Sequence, residues 1–149
     1  MLSRSSLREK MLALKMERAL TWEDIARKLG CSPVYSAMLL YGYGQCREEE
    51  AQALAELFGL EEEEKSLLKS APYREPAQPW PPTDPFVYRF YEIVLLYMPA
   101  IKDVAHELFG DGIMSAIDMA VDLQKVKDAE GNDRMLLSFN GKWLRYRRF

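Results

Sequence analysis

The chain has 149 residues and a net charge of -3, and 48% of its residues are hydrophobic. This composition is typical of an ordinary soluble globular protein, and the net charge gives no general attraction to nucleic acid. No run of eighteen or more apolar residues occurs, and the first ten residues lack the apolar core of a secretory signal. We therefore expect a cytoplasmic protein with neither a membrane nor a nucleic-acid partner.

The cysteines and the histidine do not form the pattern of a metal site. Cys31 and Cys46 stand fifteen positions apart without a C-x-x-C motif, and His106 is the single histidine. Zinc sites need clustered ligands, so we expect no metal and two reduced thiols. His106 could act as a general base, but a structural, hydrogen-bonded histidine is the interpretation that we favour.

Residues 6–69 follow a helical pattern and predict five helices. Thr21 is an expected N-cap with Asp24 as its capping-box partner, and Gly30 ends the second helix. Ser32 and Pro33 begin the third helix as N-cap and first residue. The fourth and fifth helices are predicted over Glu48–Phe58 and Glu61–Ser70.

The second and third predicted helices resemble the helix-turn-helix of bacterial transcription regulators. Residues 33–45, which include the third helix, contain no charged residue. Because phosphate contacts supply most nonspecific DNA affinity, a structural or subunit-packing role is the interpretation that we favour. A DNA-binding regulator with an oligomerising C-terminal domain remains the alternative function.

Six prolines between Pro72 and Pro85 predict an extended linker, because proline fixes φ and lacks an N–H donor. The predicted domains are a helical domain at 1–71, the linker at 72–84 and a second domain at 85–149.

The second domain is predicted to contain two helices followed by strands, so the fold class is α+β. The helical spacing covers Pro85–Tyr97, is broken by Pro99 and resumes over Ile101–Phe109. Alternating apolar residues from Ile117 predict a strand, and residues 127–133 predict a turn. The last predicted elements are a strand at Met135–Phe139, a hairpin turn at Asn140-Gly141 and a return strand at Lys142–Leu144. So short a piece has a thin core, which predicts a homo-oligomer.

Arg89, Glu92 and Ser115 stand in sequence that is otherwise rich in aromatic and aliphatic residues. Arg89 and Glu92 share a helix face, so one interpretation is a surface ion pair worth a few tenths of a kcal/mol. The aromatic neighbours favour a pair that is buried at an interface or lines a pocket. Ser115 follows the turn Gly110-Asp111-Gly112, where backbone N–H groups can face an anion.

Three sequence blocks carry a resemblance to a known family. They are D-P-x-x-Y-R-F-Y-E from Asp84, H-E-x-F-G-D-G-I-x-S-A-I from His106, and G-K-W-L from Gly141. Together they closely resemble the cyanases, also called cyanate hydratases or cyanate lyases. The resemblance is loose over the helical half and close from residue 84 to the end.

The resemblance implies that Arg89, Glu92 and Ser115 are catalytic and that Ile113 and Leu144 line the site. It implies a decamer of five dimers with active sites shared between subunits, and no metal or organic cofactor. The implied reaction converts cyanate and bicarbonate to carbamate and carbon dioxide, and carbamate then releases ammonia, which serves cyanate detoxification and nitrogen metabolism. A cyanase-like protein that only binds anions is a further alternative.

Overall fold

The computed structural model describes residues 2–72 and 80–147. These residues form six helices followed by a two-stranded antiparallel sheet, which confirms the α+β class. The helices are α1 (Arg4–Glu17), α2 (Trp22–Leu29), α3 (Pro33–Leu40), α4 (Glu48–Phe58), α5 (Glu62–Lys69) and α6 (Pro85–Phe109), and the strands are β1 (Gly112–Lys127) and β2 (Asp133–Arg145).

The chain divides into two compact units; one boundary between them falls in the proline-rich segment, and two others fall within β1 and β2. One unit comprises Met1–Arg74 with Val121–Leu137, and the other comprises Glu75–Ala120 with Ser138–Phe149. Most of the predicted linker, residues 73–79, lies outside the described residues. The three-part division into domains therefore stays a prediction.

The helix caps of α2 and α3 agree with the sequence. Thr21 Oγ1 accepts the N–H of Asp24 at 3.1 Å, and the Asp24 carboxylate accepts the N–H of Thr21 at 3.0 Å. Gly30 ends α2 with a left-handed φ of 67°. Ser32 Oγ caps α3 by accepting the N–H of Tyr35 at 3.1 Å. These caps satisfy backbone groups that a helix end leaves without partners.

The five N-terminal helices enclose a closed apolar core. Its buried side chains come from every one of these helices and from the loop that precedes α4, and they are Leu7, Met11, Ile25, Leu29, Leu39, Leu40, Cys46, Ala51, Leu54, Phe58 and Leu68. The outward side of α3 carries Tyr35, Met38 and Tyr41, which are partly exposed and uncharged. The helix-turn-helix resemblance is therefore one of helix arrangement without a basic surface on the third helix.

The break predicted at Pro99 is wrong, because α6 is one helix of 25 residues with Pro99 inside it. A proline removes one helical hydrogen bond and kinks a helix, but it does not by itself terminate one. No glycine C-cap precedes Pro99, and no N-cap residue follows it at Ala100. Without those signals the chain continues as helix to Phe109.

The hairpin turn predicted at Asn140-Gly141 is also wrong, because β2 runs without interruption from Asp133 to Arg145. The Asn-Gly pair is a turn signal only where the backbone needs positive φ, and Gly141 does not have it. The real turn is the one predicted at residues 127–133, where Gly131 has a φ of 87°. β1 also begins earlier than predicted, at Gly112 instead of Ile117.

Within the described residues, no helix has both the length and the apolar character that crossing a membrane requires.

Leu54 tests the core of the helical bundle. Leu54 is fully buried, so Leu54→Ala leaves a cavity and should lower the free energy of unfolding by about 2–5 kcal/mol. Met16 is 81% exposed, and Met16→Ala should change the free energy of unfolding by less than about 0.5 kcal/mol. Urea unfolding at one fixed protein concentration measures both changes, and equal effects would contradict this core assignment.

Candidate active site

Arg89 and Glu92 form an ion pair one turn apart in the first half of α6. The helix begins with Pro85, and the Asp84 carboxylate caps it by accepting the N–H of Val87 at 3.0 Å. This fixed start sets the helical phase, and Arg89 Nη1 donates to Glu92 Oε2 at 2.6 Å. The guanidinium therefore donates a charge-assisted hydrogen bond to Glu92.

The guanidinium of this pair remains accessible in the single chain. The Arg89 side chain is 73% exposed and the Glu92 side chain 37% exposed. Among the described residues Arg89 has Glu92 as its one hydrogen-bond partner, so the rest of its N–H donors are open to an anion. A guanidinium binds carboxylate-like anions in a bidentate manner, which suits this arrangement to a small anion.

Ser115 lies in β1 and is only 7% exposed. Its Oγ accepts the backbone N–H of Ile117 at 3.1 Å and that of Asp118 at 2.9 Å. A serine oxygen has two acceptor positions and one proton to donate, so both acceptor positions are filled. The remaining hydrogen-bonding capacity of Ser115 is its O–H proton. Ser115 is therefore arranged as a hydrogen-bond donor.

The same geometry argues against Ser115 as a nucleophile. Nucleophilic serine needs a base that removes its proton and a lone pair that is directed at the substrate. Two backbone N–H groups already occupy its lone pairs, and no described side chain accepts its proton. Sequence reasoning could not find these two bonds, because they depend on the backbone conformation of residues 115–118.

Ile113 lies two residues before Ser115 on β1, and Leu144 lies near the end of the paired strand β2. Their side chains are 48% and 41% exposed. Gly112, next to Ile113, packs so closely on β2 that a Cβ atom there would overlap the carbonyl oxygen of Leu144. The paired strands therefore bring the backbones around these two apolar residues close together, and both side chains remain available to line a site.

The turn Gly110-Asp111-Gly112 is only partly exposed, and its possible role in facing an anion stays a prediction. Gly110 has a φ of 80°, but Gly112 is buried and already belongs to β1. The Asp111 carbonyl accepts the N–H of Tyr146 at 3.2 Å, which ties this turn to the end of β2. Gly112 allows the two strands to pack closely, because it has no Cβ atom.

His106 has a structural environment. Its Nε2 is 3.0 Å from the carbonyl oxygen of Gly112, and its ring packs edge-on against Trp143. Phe109 also packs on the Trp143 indole. These contacts join the end of α6 to both strands, and they agree with the structural interpretation of His106.

The two cysteines are free thiols. Burial raises the pKa of the Cys46 thiol to about 11, and burial also raises the pKa of the Cys31 thiol. A raised pKa lowers the thiolate fraction at neutral pH, so neither group is poised as a nucleophile. Within residues 2–72 and 80–147, no cluster of His, Cys, Asp and Glu has the arrangement of a metal site.

One chain does not join all the candidate residues by direct contacts. No hydrogen bond or ion pair among the described residues links Arg89 or Glu92 to Ser115. Within one chain the polar groups form two separate parts, an ion pair on α6 and a donor hydroxyl on β1. The assignment of the five site residues stays a prediction at this stage.

The described residues define an α+β protein with a helical bundle, a long helix that carries an accessible guanidinium, and a two-stranded sheet that carries a donor hydroxyl. Residues 4–72 match the family model described as cyanate hydratase, N-terminal, and residues 79–148 match the cyanate lyase C-terminal domain. The chain belongs to the cyanate hydratase family.

Relatives of nearly full length support this membership. The chain is 66% identical over 139 residues to a cyanate hydratase of Aquifex aeolicus, with 93% of each chain covered. It is 58% identical to a cyanate hydratase of Sulfurisphaera tokodaii, with 98% of each chain covered. A crystal structure of cyanase from T. urticae matches with a TM-score of 0.80 at 31% identity, covering 93% of this chain and 96% of that chain.

Proposed function

We propose that this protein decomposes cyanate with bicarbonate. One cyanate, one bicarbonate and one proton give carbamate and carbon dioxide, and carbamate with a further proton gives ammonia and carbon dioxide. The observation that carries the proposal is the match of both family models, which together span residues 4–72 and 79–148. The site geometry supports it, because both reactants are small anions and two of the candidate residues, Arg89 and Ser115, offer hydrogen-bond donors.

Arg89 is proposed to bind the anions and to offset their mutual repulsion. Two negative charges brought together repel strongly in a site of low dielectric, and a fixed guanidinium compensates for this repulsion. Holding both reactants also removes much of the entropic barrier to their reaction. Glu92 orients the guanidinium, as the 2.6 Å ion pair supports, or carries the proton that the reaction consumes.

Ser115 is proposed to stabilise charge that develops on the substrate. Its O–H proton is the one hydrogen-bonding position that its backbone partners leave open. A fixed donor that is aimed at a developing oxyanion is among the largest contributions to catalysis. Ile113 and Leu144 would exclude water around it, which strengthens this interaction. Covalent catalysis through Ser115 is not part of the proposal.

The protein is proposed to act as a homo-oligomer, with a decamer of five dimers as the specific expectation. The α6 helix buries none of its 25 residues in the single chain, although most of its side chains are apolar. One groove on it is lined entirely by apolar or aromatic side chains, namely Tyr97, Ala100, Ile101, Val104, Ala105, Leu108 and Phe109. Exposed apolar surface of this extent marks an interface.

A shared active site follows from the same proposal. Arg89 is largely exposed in one chain, whereas catalysis between two anions needs a site that is closed to water. Another subunit covering α6 would close it.

The DNA-binding alternative gains no support, since α3 carries no charged residue. A cytoplasmic location remains a prediction.

Ammonia release tests the proposed reaction directly. Purified protein mixed with cyanate should release ammonia only when bicarbonate is present, and a chelator should not reduce the rate. Boiled protein and cyanate alone are the controls. A well-folded protein that releases no ammonia would limit the relation to one of fold and leave anion binding as the function.

Arg89→Leu tests the anion-binding role. The change should lower kcat/KM by at least about 10²-fold, because an unscreened charge interaction with the reacting anions is lost. Arg27→Leu is the matched control, since Arg27 is also 73% exposed and also forms a helical ion pair, with Asp24. Both variants should keep the wild-type size on gel filtration. Retained turnover in Arg89→Leu would remove Arg89 from the mechanism.

Val104→Asp tests the interface on α6. Val104 is 58% exposed in the single chain, so the charge should leave the monomer fold intact but split the oligomer. Sedimentation velocity should show a smaller species, and turnover should fall with it if subunits share sites. Met16→Asp places the same charge at another exposed apolar position and should change neither property. A fully active Val104→Asp oligomer would contradict the proposed interface.

A further inference from the structure

Gly141 of β2 packs directly on the backbone of the strand that carries Ser115. A Cβ atom added at Gly141 would lie 2.6 Å from the carbonyl oxygen of Ser115 and 2.5 Å from Met114 Cγ. Side-chain Cβ atoms do not approach other heavy atoms this closely, so any larger residue forces a displacement. A glycine inside a strand often marks such a close backbone approach.

Space, and not backbone conformation, is the reason for glycine at this position. Gly141 lies within β2 and is not among the glycines with positive φ. Any residue can adopt its backbone, so alanine would be acceptable there if β1 were farther away. The requirement for glycine therefore comes from Met114 and Ser115 alone.

The strand opposite Gly141 has little freedom to move around Ser115. Ser115 Oγ holds the N–H groups of Ile117 and Asp118, a local pattern that bends the chain. Because the hydroxyl is tied to its own backbone segment, a shift of the Ser115 carbonyl also shifts the hydroxyl.

A second close approach lies on the other side of Ser115. A Cβ atom at Gly112 would overlap the carbonyl oxygen of Leu144 and would stand 2.9 Å from Trp143 Nε1. The segment from Gly112 to Ser115 is therefore packed directly on β2 at both of its ends.

We infer that Gly141 is a positioning residue for cyanate decomposition: it lets β2 pack against Ser115 and so fixes where the Ser115 hydroxyl donates. This inference rests on the proposed role of Ser115. It adds a residue from β2 that acts through Ser115, and it explains why position 141 has no side chain.

Gly141→Ala should lower kcat with little change in KM. To reach an ordinary contact of 3.4 Å, the Ser115 carbonyl must move by roughly 0.8 Å. A misplacement of about 1 Å at a catalytic group lowers the rate on the order of 10²-fold. A contact made only in the transition state affects kcat, whereas general damage to the binding site would raise KM.

A double-mutant cycle shows whether the effect passes through Ser115. Gly141→Ala, Ser115→Ala and the double variant are compared for kcat and KM with cyanate and bicarbonate. If Gly141 acts by positioning the hydroxyl, adding Gly141→Ala to Ser115→Ala should cost less than about twofold. Full additivity of the two losses would overturn the inference.

Met114 provides a second test that does not need residual activity in Ser115→Ala. Met114→Ala removes the side chain that a Cβ at position 141 would meet, but the Ser115 carbonyl remains in place. The variant with both Met114→Ala and Gly141→Ala should therefore stay about 10²-fold slower than Met114→Ala alone. Equal rates would show that crowding against Met114 was the whole effect, and would overturn the inference. This pair also serves if Gly141→Ala alone folds poorly.

Gly131→Asn is the control for general weakening of the sheet. Gly131 lies in the turn between the strands, a Cβ there meets nothing within 4 Å, and asparagine tolerates its positive φ. This variant should keep the wild-type kcat, and a loss equal to that of Gly141→Ala would contradict a specific role for Gly141.

If Ser115→Ala itself keeps the wild-type kcat, the proposed role of Ser115 fails, which is a different result from additivity in the cycle.

Discussion

The C-terminal part of the chain carries apolar sequence but has no core of its own, and this constraint governs the rest of the structure. Among residues 80–147 the buried positions are Pro82, Gly112 and Ser115, none of which is a large apolar side chain. The helical bundle, in contrast, buries its apolar residues completely. Because exposed apolar surface costs free energy in water, covering the α6 helix and the sheet with other surfaces would stabilise them.

This constraint explains why the candidate catalytic groups look incomplete in a single chain. Arg89 is 73% exposed, and charges in water interact weakly, so the isolated chain offers little electrostatic stabilisation to two anions. The same surfaces that need covering surround the Arg89–Glu92 pair. Covering α6 would therefore stabilise the fold and lower the dielectric around the guanidinium at the same time, which couples assembly to catalysis.

Local signals in the sequence are sufficient to predict the N-terminal helices, but they are insufficient to predict that α6 and β2 are continuous. The caps at Thr21, Gly30 and Ser32 are set by neighbouring residues, so sequence spacing predicts them. Pro99 predicts a helix break and Gly141 predicts a turn, and both predictions are wrong. Pro99 lies inside the continuous helix α6, and Gly141 lies inside the continuous strand β2. The family resemblance named the site residues, but spacing alone could not show that Ser115 Oγ accepts two backbone N–H groups.

The immediate environment of Ser115, the proposed hydrogen-bond donor, is built from backbone groups. Two N–H groups of its own strand fill its acceptor positions, so the direction of its proton is restricted before a substrate arrives. The packing of Gly141 on the Ser115 carbonyl fixes the same segment from the opposite strand. In the proposed mechanism, backbone atoms thus preorganise this serine, and Arg89 of α6 supplies the positive charge. The position of the hydroxyl then depends on strand packing. The strength of the electrostatic interaction between Arg89 and the anions depends on how far α6 is shielded from water.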